Sequence, residues 1–440
     1  MAGLKIGISL TSAEAKSVVV EETLGEGGQG IVYKVKYDGK PMALKWYFIK
    51  KLKNPIEFKE NLTRNISKGK PSDSFLWPID IVENSSTGEF GYIMELRPKG
   101  YNELADFLVK KSKFNSNRAM INAAIDICCA FRSLHLKGLS YQDLNDGNFF
   151  INGETGRVLI CDNDNVAPDG DNKTGIQGKC RYMAPEVVLC KNQPNTESDR
   201  FSLAIVLFIL LFRSHPLEGK KYIASTCATE AVERKIYGEN PVFIYDPDDK
   251  SNEPAIGVHE NVIRIWKIYP DSVKNMFIKA FSKDSIKNPN NRIIEREWTN
   301  LFIKLRDSIV NCPYCSDEFF SNPEENSIIC ENCGKTLQRP GRIQCGHYNV
   351  PVFVGNKLYS CHAEGISDDH VDCFKEIGEI ILGKSKVEGK PPVVGIRNLS
   401  DTAWKTTNGD KTATVENNGV ARIVRGLEID LGGSKTAKII

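Results

Sequence analysis

A glycine-rich stretch that opens a strand instead of a helix constrains this chain more than any other feature. Leu24-Gly25-Glu26-Gly27-Gly28-Gln29-Gly30 runs directly into Ile31-Val32-Tyr33-Lys34-Val35. Glycines at positions 25, 27 and 30 let backbone N–H groups approach phosphates with no Cβ in the way. A dinucleotide-binding fingerprint needs a helix to begin inside such a motif. The β-branched residues after Gly30 predict a strand, so the loop joins two strands. Alone the motif is weak, because a plain glycine-rich turn has the same pattern.

Its weight comes from residues further along the chain. Ala43-Leu44-Lys45 puts a cation on the next strand. Tyr141-Gln142-Asp143-Leu144-Asn145-Asp146-Gly147-Asn148 sets an aspartate and an asparagine in an Asp-x₄-Asn relation, and Val158-Leu159-Ile160-Cys161-Asp162 delivers a carboxylate at a strand end. Tyr182-Met183-Ala184-Pro185-Glu186 comes next, then Asp199 ahead of the apolar run Leu203 to Phe212, then Pro289-Asn290-Asn291-Arg292. Singly, each has a bland reading; a lone strand lysine is nearly always a solvated surface charge. In this order they resemble the eukaryotic-like serine/threonine protein kinase superfamily over residues 15–307.

That resemblance implies an α+β, two-lobed protein-kinase fold, with an N-lobe over 15–96 and a C-lobe over 100–307. ATP and Mg²⁺ (or Mn²⁺) belong in the cleft. Gly25, Gly27 and Gly30 become the lid, and Lys45 holds the α- and β-phosphates. Val32, Ala43, Met94, Glu95 and Leu96 line the nucleotide pocket, with Met94 as gatekeeper and Glu95 to Arg97 as hinge. Asp143 accepts the substrate hydroxyl proton, and Asn148 and Asp162 ligate the metal. Glu60 is the helix carboxylate expected to pair with Lys45, with Glu57 as runner-up. Arg292 is placed to pair with Glu186.

Four departures bear on activity. Tyr141-Gln142 stands where the family has His-Arg, so no arginine is at hand to grip a phosphorylated activation loop. Asp162-Asn163-Asp164 replaces Asp-Phe-Gly; a solvent-facing Asn163 is favoured over a role for Asp164 as added metal charge. The remaining two belong together. Asn145 takes the place of the lysine that touches the transferred phosphate, while Lys179 takes that of a threonine. Either Lys179 reaches back toward Asp143, making it part of the catalytic set, or it is a solvated lysine.

Beyond residue 307, Cys312-Pro313-Tyr314-Cys315 and Cys330-Glu331-Asn332-Cys333 predict a zinc ribbon over 308–340. Four thiolates would surround Zn²⁺ tetrahedrally with no open position, which makes it structural. Asp317, Glu318, Glu324 and Glu325 make the ribbon acidic, so spacing or protein docking is expected and nucleic acid is not. Cys345, His347, Cys361, His362 and Cys373 offer donors for a second metal site, but they fit no common metal spacing, and packing and surface roles are preferred. Residues 341–440 predict a small β-rich domain, with Asn418-Gly419 as a hairpin turn. Gly395-Ile396-Arg397-Asn398-Leu399-Ser400, Trp404 and Gly426 to Gly432 resemble the end of a forkhead-associated sandwich. The arginine and serine of that family's phosphate pocket cannot be placed in order, so a plain β-sandwich is preferred.

Composition sets the outer limits. Over 440 residues the formal net charge is +2, without the strongly basic surface of a dedicated nucleic-acid binder. The longest uninterrupted apolar run is shorter than the roughly 20 residues a bilayer span needs. With thirteen cysteines and no signal-peptide layout, a reducing, cytoplasmic setting is expected. The preferred function is an ATP-dependent protein kinase acting on serine or threonine of a protein partner. A nucleotide-binding pseudokinase scaffold, docking partners through ribbon and tail, is the alternative; the Ala-Pro-Glu segment argues against a small-molecule kinase. A divergent kinase fused to a ribbon is also similar to bacterial stress-cluster kinases, which work beside metal-dependent phosphatases and von Willebrand A-type proteins.

Overall fold

The computed structural model describes residues 3–171, 175, 178–225, 229–321, 327–330, 332–338, 341–366, 372–383 and 392–440. These fall into two compact units. One comprises Met1–Phe114, Asp126–Trp266 and Lys274–Glu295, the other Asn115–Ile125, Lys267–Val273 and Arg296–Ile440.

The first unit begins with strands β1 (Ser9–Thr11), β2 (Ser17–Glu26), β3 (Gly30–Tyr37), β4 (Lys40–Tyr47), β5 (Asp80–Asn84) and β6 (Glu89–Met94). They form one antiparallel sheet in the order β1-β2-β3-β4-β6-β5. Period-two alternation divides β4 between two cores. Leu44 and Trp46 pack with Val18, Tyr33 and Val35, whereas Ala43 and Tyr47 pack with Phe58 and Leu62. Lys45 therefore projects from the second face. Gly30 has a packing reason for being glycine, because a Cβ there would lie 2.1 Å from the Trp46 carbonyl oxygen across the ladder.

Helix α1 (Pro55–Lys68) starts behind the Asn54 cap with Pro55 in its first turn, and stops at Gly69, whose φ is +71°. Its buried stripe is Phe58, Asn61, Leu62 and Asn65, the spacing of one helical face. Burying Phe58 and Leu62 contributes about 2 kcal/mol each.

The rest of the unit is mainly helical. The pattern from about Asn102 to Leu136 reads as helical; the chain forms a strand at Tyr101–Glu103, a short helix at Leu104–Leu108 and then the helix Asn117–Leu136, whose residues up to Ile125 belong to the second unit. Lys110 adopts φ +63° in the break, where the rings of Phe107 and Phe114 stack. Asn117–Leu136 is long and apolar enough to cross a membrane by length and composition, yet most of it is buried inside the protein. The strand-like pieces Phe149-Phe150-Ile151 and Val158-Leu159-Ile160 pair with each other, and the first, which extends to Asn152, also pairs with Tyr101–Glu103. The helix Thr196–Phe212 opens with a capping box made by Asn195 and Ser198 and is buried along nearly its whole length.

In the second unit two short hairpins, Ile309–Asn311 with Glu318–Phe320 and Ser327–Ile329 with Thr336–Gln338, carry the cysteine pairs. A six-stranded and a four-stranded antiparallel sheet come after them. Their inner residues share one core, including Ile343, Leu358, Ile380, Ile396, Trp404 and Ile429. The hairpin expected at Asn418-Gly419 is a correction. Asn418 does take a turn conformation, φ +61°, but Lys411–Val415 pairs with Trp404–Asn408 and Val420–Arg422 pairs with Val393–Asn398 in the other sheet. The turn reverses the chain between sheets. A tight hairpin lies instead at Gly409-Asp410, between Asn408 and Lys411.

Candidate active site

Within the first unit, Lys45 lies between two carboxylates of the segment after Val158–Ile160. Its Nζ is 3.0 Å from Asp162 Oδ1 and 2.8 Å from Asp164 Oδ2. Tyr47, on the same face of β4, donates its hydroxyl to that Asp164 oxygen at 2.5 Å. Burial pulls the Lys45 pKa down, but Asp164 and Asp162 outweigh it and hold the ammonium well above its usual range. The two aspartates differ in access: the Asp162 side chain is 44 % exposed and that of Asp164 0 %.

Two expectations fail here. Glu60 is exposed and Glu57 half-buried, and among the described residues the carboxylates on Lys45 are those of Asp162 and Asp164. Helix α1 turns amides, not acids, inward: Asn61 and Asn65 each donate to the Val166 carbonyl at 2.7 Å. Asn163 is not solvent-facing. It is fully buried and donates to the carbonyls of Leu76 and Ile160 at 2.8 and 2.9 Å.

The loop carrying Asp143 hangs from the helix beneath it. Asp199 accepts from the backbone N–H of Tyr141 at 2.5 Å and of Gln142 at 3.0 Å, which holds Gln142 at φ +70°. His135 bridges Asp199 at 3.2 Å and Glu295 at 2.9 Å. Against its burial, these two acids raise His135 to about 9. Also against burial, His135 and Arg200 lower Glu295 to about 2. Tyr141 is buried and donates its hydroxyl to the Cys161 carbonyl.

Around Asp143 the contacts form a chain. Asn145 donates to Asp143 Oδ1 at 3.1 Å and accepts from Lys179 Nζ at 2.8 Å. Asn165 donates to Asp143 Oδ2 at 3.4 Å. The amide nitrogen of Asn148 donates to the Asp143 carbonyl at 2.8 Å, which directs its amide oxygen elsewhere. Desolvation pushes the Asp143 carboxyl up to about 6, while the Lys179 charge pulls the other way. Glu186 and Arg292 meet through two bonds of 2.7 Å.

The apolar wall combines residues from both lobes. Ala43 pairs with Met94 across the β4–β6 ladder, and Val32, Leu96, Phe150, Leu159 and Cys161, half-buried, pack against the core cluster that contains both. Glu95 is exposed and ion-paired with Lys70 at 3.2 Å. A Cβ at Gly25 would meet nothing within 4 Å, and one at Gly27 only the Gly30 carbonyl oxygen at 4.0 Å. The lid backbone is open on its outer side.

In the second unit Cys312, Cys315, Cys330 and Cys333 place all four sulfurs within 4.8 Å of one another. Two of the edges are 3.7 Å (Cys312–Cys333) and 3.6 Å (Cys315–Cys330). A tetrahedron with Zn–S bonds of about 2.3 Å has edges of about 3.8 Å. The knuckles are built alike. Cys312 N–H reaches the Asp317 carbonyl at 2.9 Å and Cys330 N–H the Lys335 carbonyl at 3.0 Å. Ser316 and Gly334 occupy matching left-handed positions at φ +62° and +68°. Among the described residues no second cluster of this kind exists. His362 meets Asp307 at 2.9 Å and His347 meets Asn300 at 3.2 Å, while Cys345, Cys361 and Cys373 are buried. Glu324, Glu325 and Cys227 lie outside the described residues.

Comparison with known proteins agrees with this geometry. The family model described as a protein kinase domain matches residues 18–255. Cell cycle serine/threonine-protein kinase CDC5/MSD2 of Saccharomyces cerevisiae is 26 % identical over 222 residues, covering 48 % of this chain and 30 % of the relative. The probable serine/threonine-protein kinase kinX of Dictyostelium discoideum is 27 % identical over 340 residues, 76 % of this chain and 27 % of its own length. The interferon-induced, double-stranded RNA-activated protein kinase of Rattus norvegicus is 28 % identical over 211 residues, covering 43 % and 40 %. The chain thus spans less than half the length of these curated relatives. With the family match covering more than half of its own residues, this chain belongs to the protein kinase family.

Proposed function

We propose that the chain transfers the γ-phosphate of ATP to serine or threonine hydroxyls of a protein partner. The family implies ATP and Mg²⁺, and the residues present suit both. Asn148 and Asp162 offer oxygens to the metal, which when bound neutralises charge on the phosphates. Lys45 holds the nucleotide's α- and β-phosphates under the lid of Gly25, Gly27 and Gly30, and Ala43, Val32, Met94 and Leu96 enclose the base. Asp143 orients the substrate hydroxyl and takes its proton. Lys179, through Asn145, supplies the cation that the family draws from the Asn145 position. The Asp143–Asn145–Lys179 chain supports this reading: Lys179, although an exposed residue, donates to the amide that itself donates to the base.

The four thiolates fit Zn²⁺ in a closed, structural site. The protein substrate, a cognate metal-dependent phosphatase, a von Willebrand A-type partner and a cytoplasmic location are parts of the same proposal. Residues 341–440 are proposed as an accessory β-sandwich; binding of a phosphothreonine peptide would mark it as forkhead-associated-like.

Incubation with radiolabelled ATP, alone and with generic protein substrates, tests the activity. Wild type should label itself or the substrate on serine or threonine under Mg²⁺ or Mn²⁺, and Asp143→Asn should not. Equal labelling by the two would favour the pseudokinase scaffold.

A further inference from the structure

Kinases need a carboxylate behind the phosphate-holding lysine, and the family takes it from a helix. In this chain α1 offers none, because its inward positions are Asn61 and Asn65, both committed to the Val166 carbonyl. Asp164 stands in the place of the family's glycine. It is 0 % exposed, and one oxygen receives both Lys45 at 2.8 Å and Tyr47 at 2.5 Å. The other, Oδ1, is buried without a hydrogen-bond partner among the described residues. A carboxylate buried so incompletely satisfied is costly, and Lys45 and Tyr47 are what the fold sets against that cost.

We propose that Asp164 is the positioning residue for Lys45, replacing the helix glutamate, so that the lysine's anchor lies in the same segment as Asp162. This deepens the kinase reading and rests on it. Labour is divided by access: Asp162 is open to the cleft and Asp164 is not. Asp164 therefore keeps Lys45 aimed when nucleotide competes for the Asp162 contact. Helix α1 need not swing inward to complete the site, since its amides already clasp Val166, two residues beyond Asp164.

The test moves the carboxylate. Affinity for a fluorescent ADP analogue is measured with and without Mg²⁺, together with KM for ATP and kcat, in wild type, Asp164→Asn, Asp164→Gly and Asp164→Gly/Asn61→Glu. The two single variants should weaken Mg²⁺-free nucleotide binding about tenfold or more. The double variant, with a glutamate at the inward helix position, should recover most of that loss. Glu57→Gln/Glu60→Gln should change neither affinity nor KM by more than about twofold. If Asp164→Gly does not fold by circular dichroism, the near-isosteric Asp164→Asn carries the test. Unchanged affinity in a folded Asp164 variant overturns the proposal, as does a tenfold loss in Glu57→Gln/Glu60→Gln. Wild type that neither binds nucleotide nor transfers phosphate would instead refute the kinase reading itself.

Discussion

At the scale of single residues, this site keeps the charges of a phosphotransferase while moving where they are attached. The family's loop lysine is Asn145 here, and the cation proposed to replace it is Lys179, whose Nζ sits 2.8 Å from the Asn145 amide oxygen. Lys179→Met should lower kcat about tenfold to a hundredfold while changing KM for ATP less than about threefold. Steady-state kinetics with a purified substrate checks this, and intact turnover would end the exchange idea. The candidates Lys45, Asp143, Asn148 and Asp162 could be named from the sequence because a motif fixes residue type and spacing together. The partner of Lys45 was not. Glu57 and Glu60 have the right chemistry, but the helical phase turns Asn61 and Asn65 inward, and that phase is set by the packing of Phe58 and Leu62. Asp164 had no motif to announce it; its signal was an acid where the family has glycine.

At the scale of elements, the catalytic loop is held by charge buried beneath it. Arg292 clasps Glu186 and also donates to the Glu197 carbonyl at 2.9 Å. Arg292→Met leaves Glu186 without its cation and should cost about 3 kcal/mol in urea unfolding. The His135 bridge makes a pH prediction. His135 binds its proton more tightly folded, near 9, than unfolded, near 6.5. Its stabilisation is therefore complete below pH 6.5 and fades as pH rises through 9. Glu295, lowered from 4.5 to about 2, behaves oppositely, with its contribution present above pH 4.5 and lost toward pH 2. Urea midpoints between about pH 6 and 10 should fall on the alkaline side, and His135→Gln should flatten that fall. Among the elements, the β-branched run after Gly30 was readable directly. The break at Lys110 and the sheet exchange at Asn418-Gly419 were not, because local sequence encodes a reversal without naming the strand that receives the chain.

At the scale of the whole molecule, two compact units carry two constellations, Lys45 with Asp162 and Asp164 in one and a four-thiolate cluster in the other. The cysteine spacing announced the cluster; the left-handed turns at Ser316 and Gly334 came only from the structure. Metal analysis of purified protein should find about one zinc per chain, and Cys330→Ser should lose most of it. Retention of zinc by that variant would contradict a four-thiolate site.

The proposed kinase activity requires Asp143 to do chemistry in a site that Lys45, Asp162 and Asn148 would build for nucleotide. ATP affinity and the single-turnover rate of γ-phosphate transfer, measured side by side for wild type and Asp143→Asn, test it most directly. Affinities should agree within about threefold, and the transfer rate should be at least about a hundredfold lower in the variant. Equal transfer rates at equal affinity would contradict a catalytic Asp143.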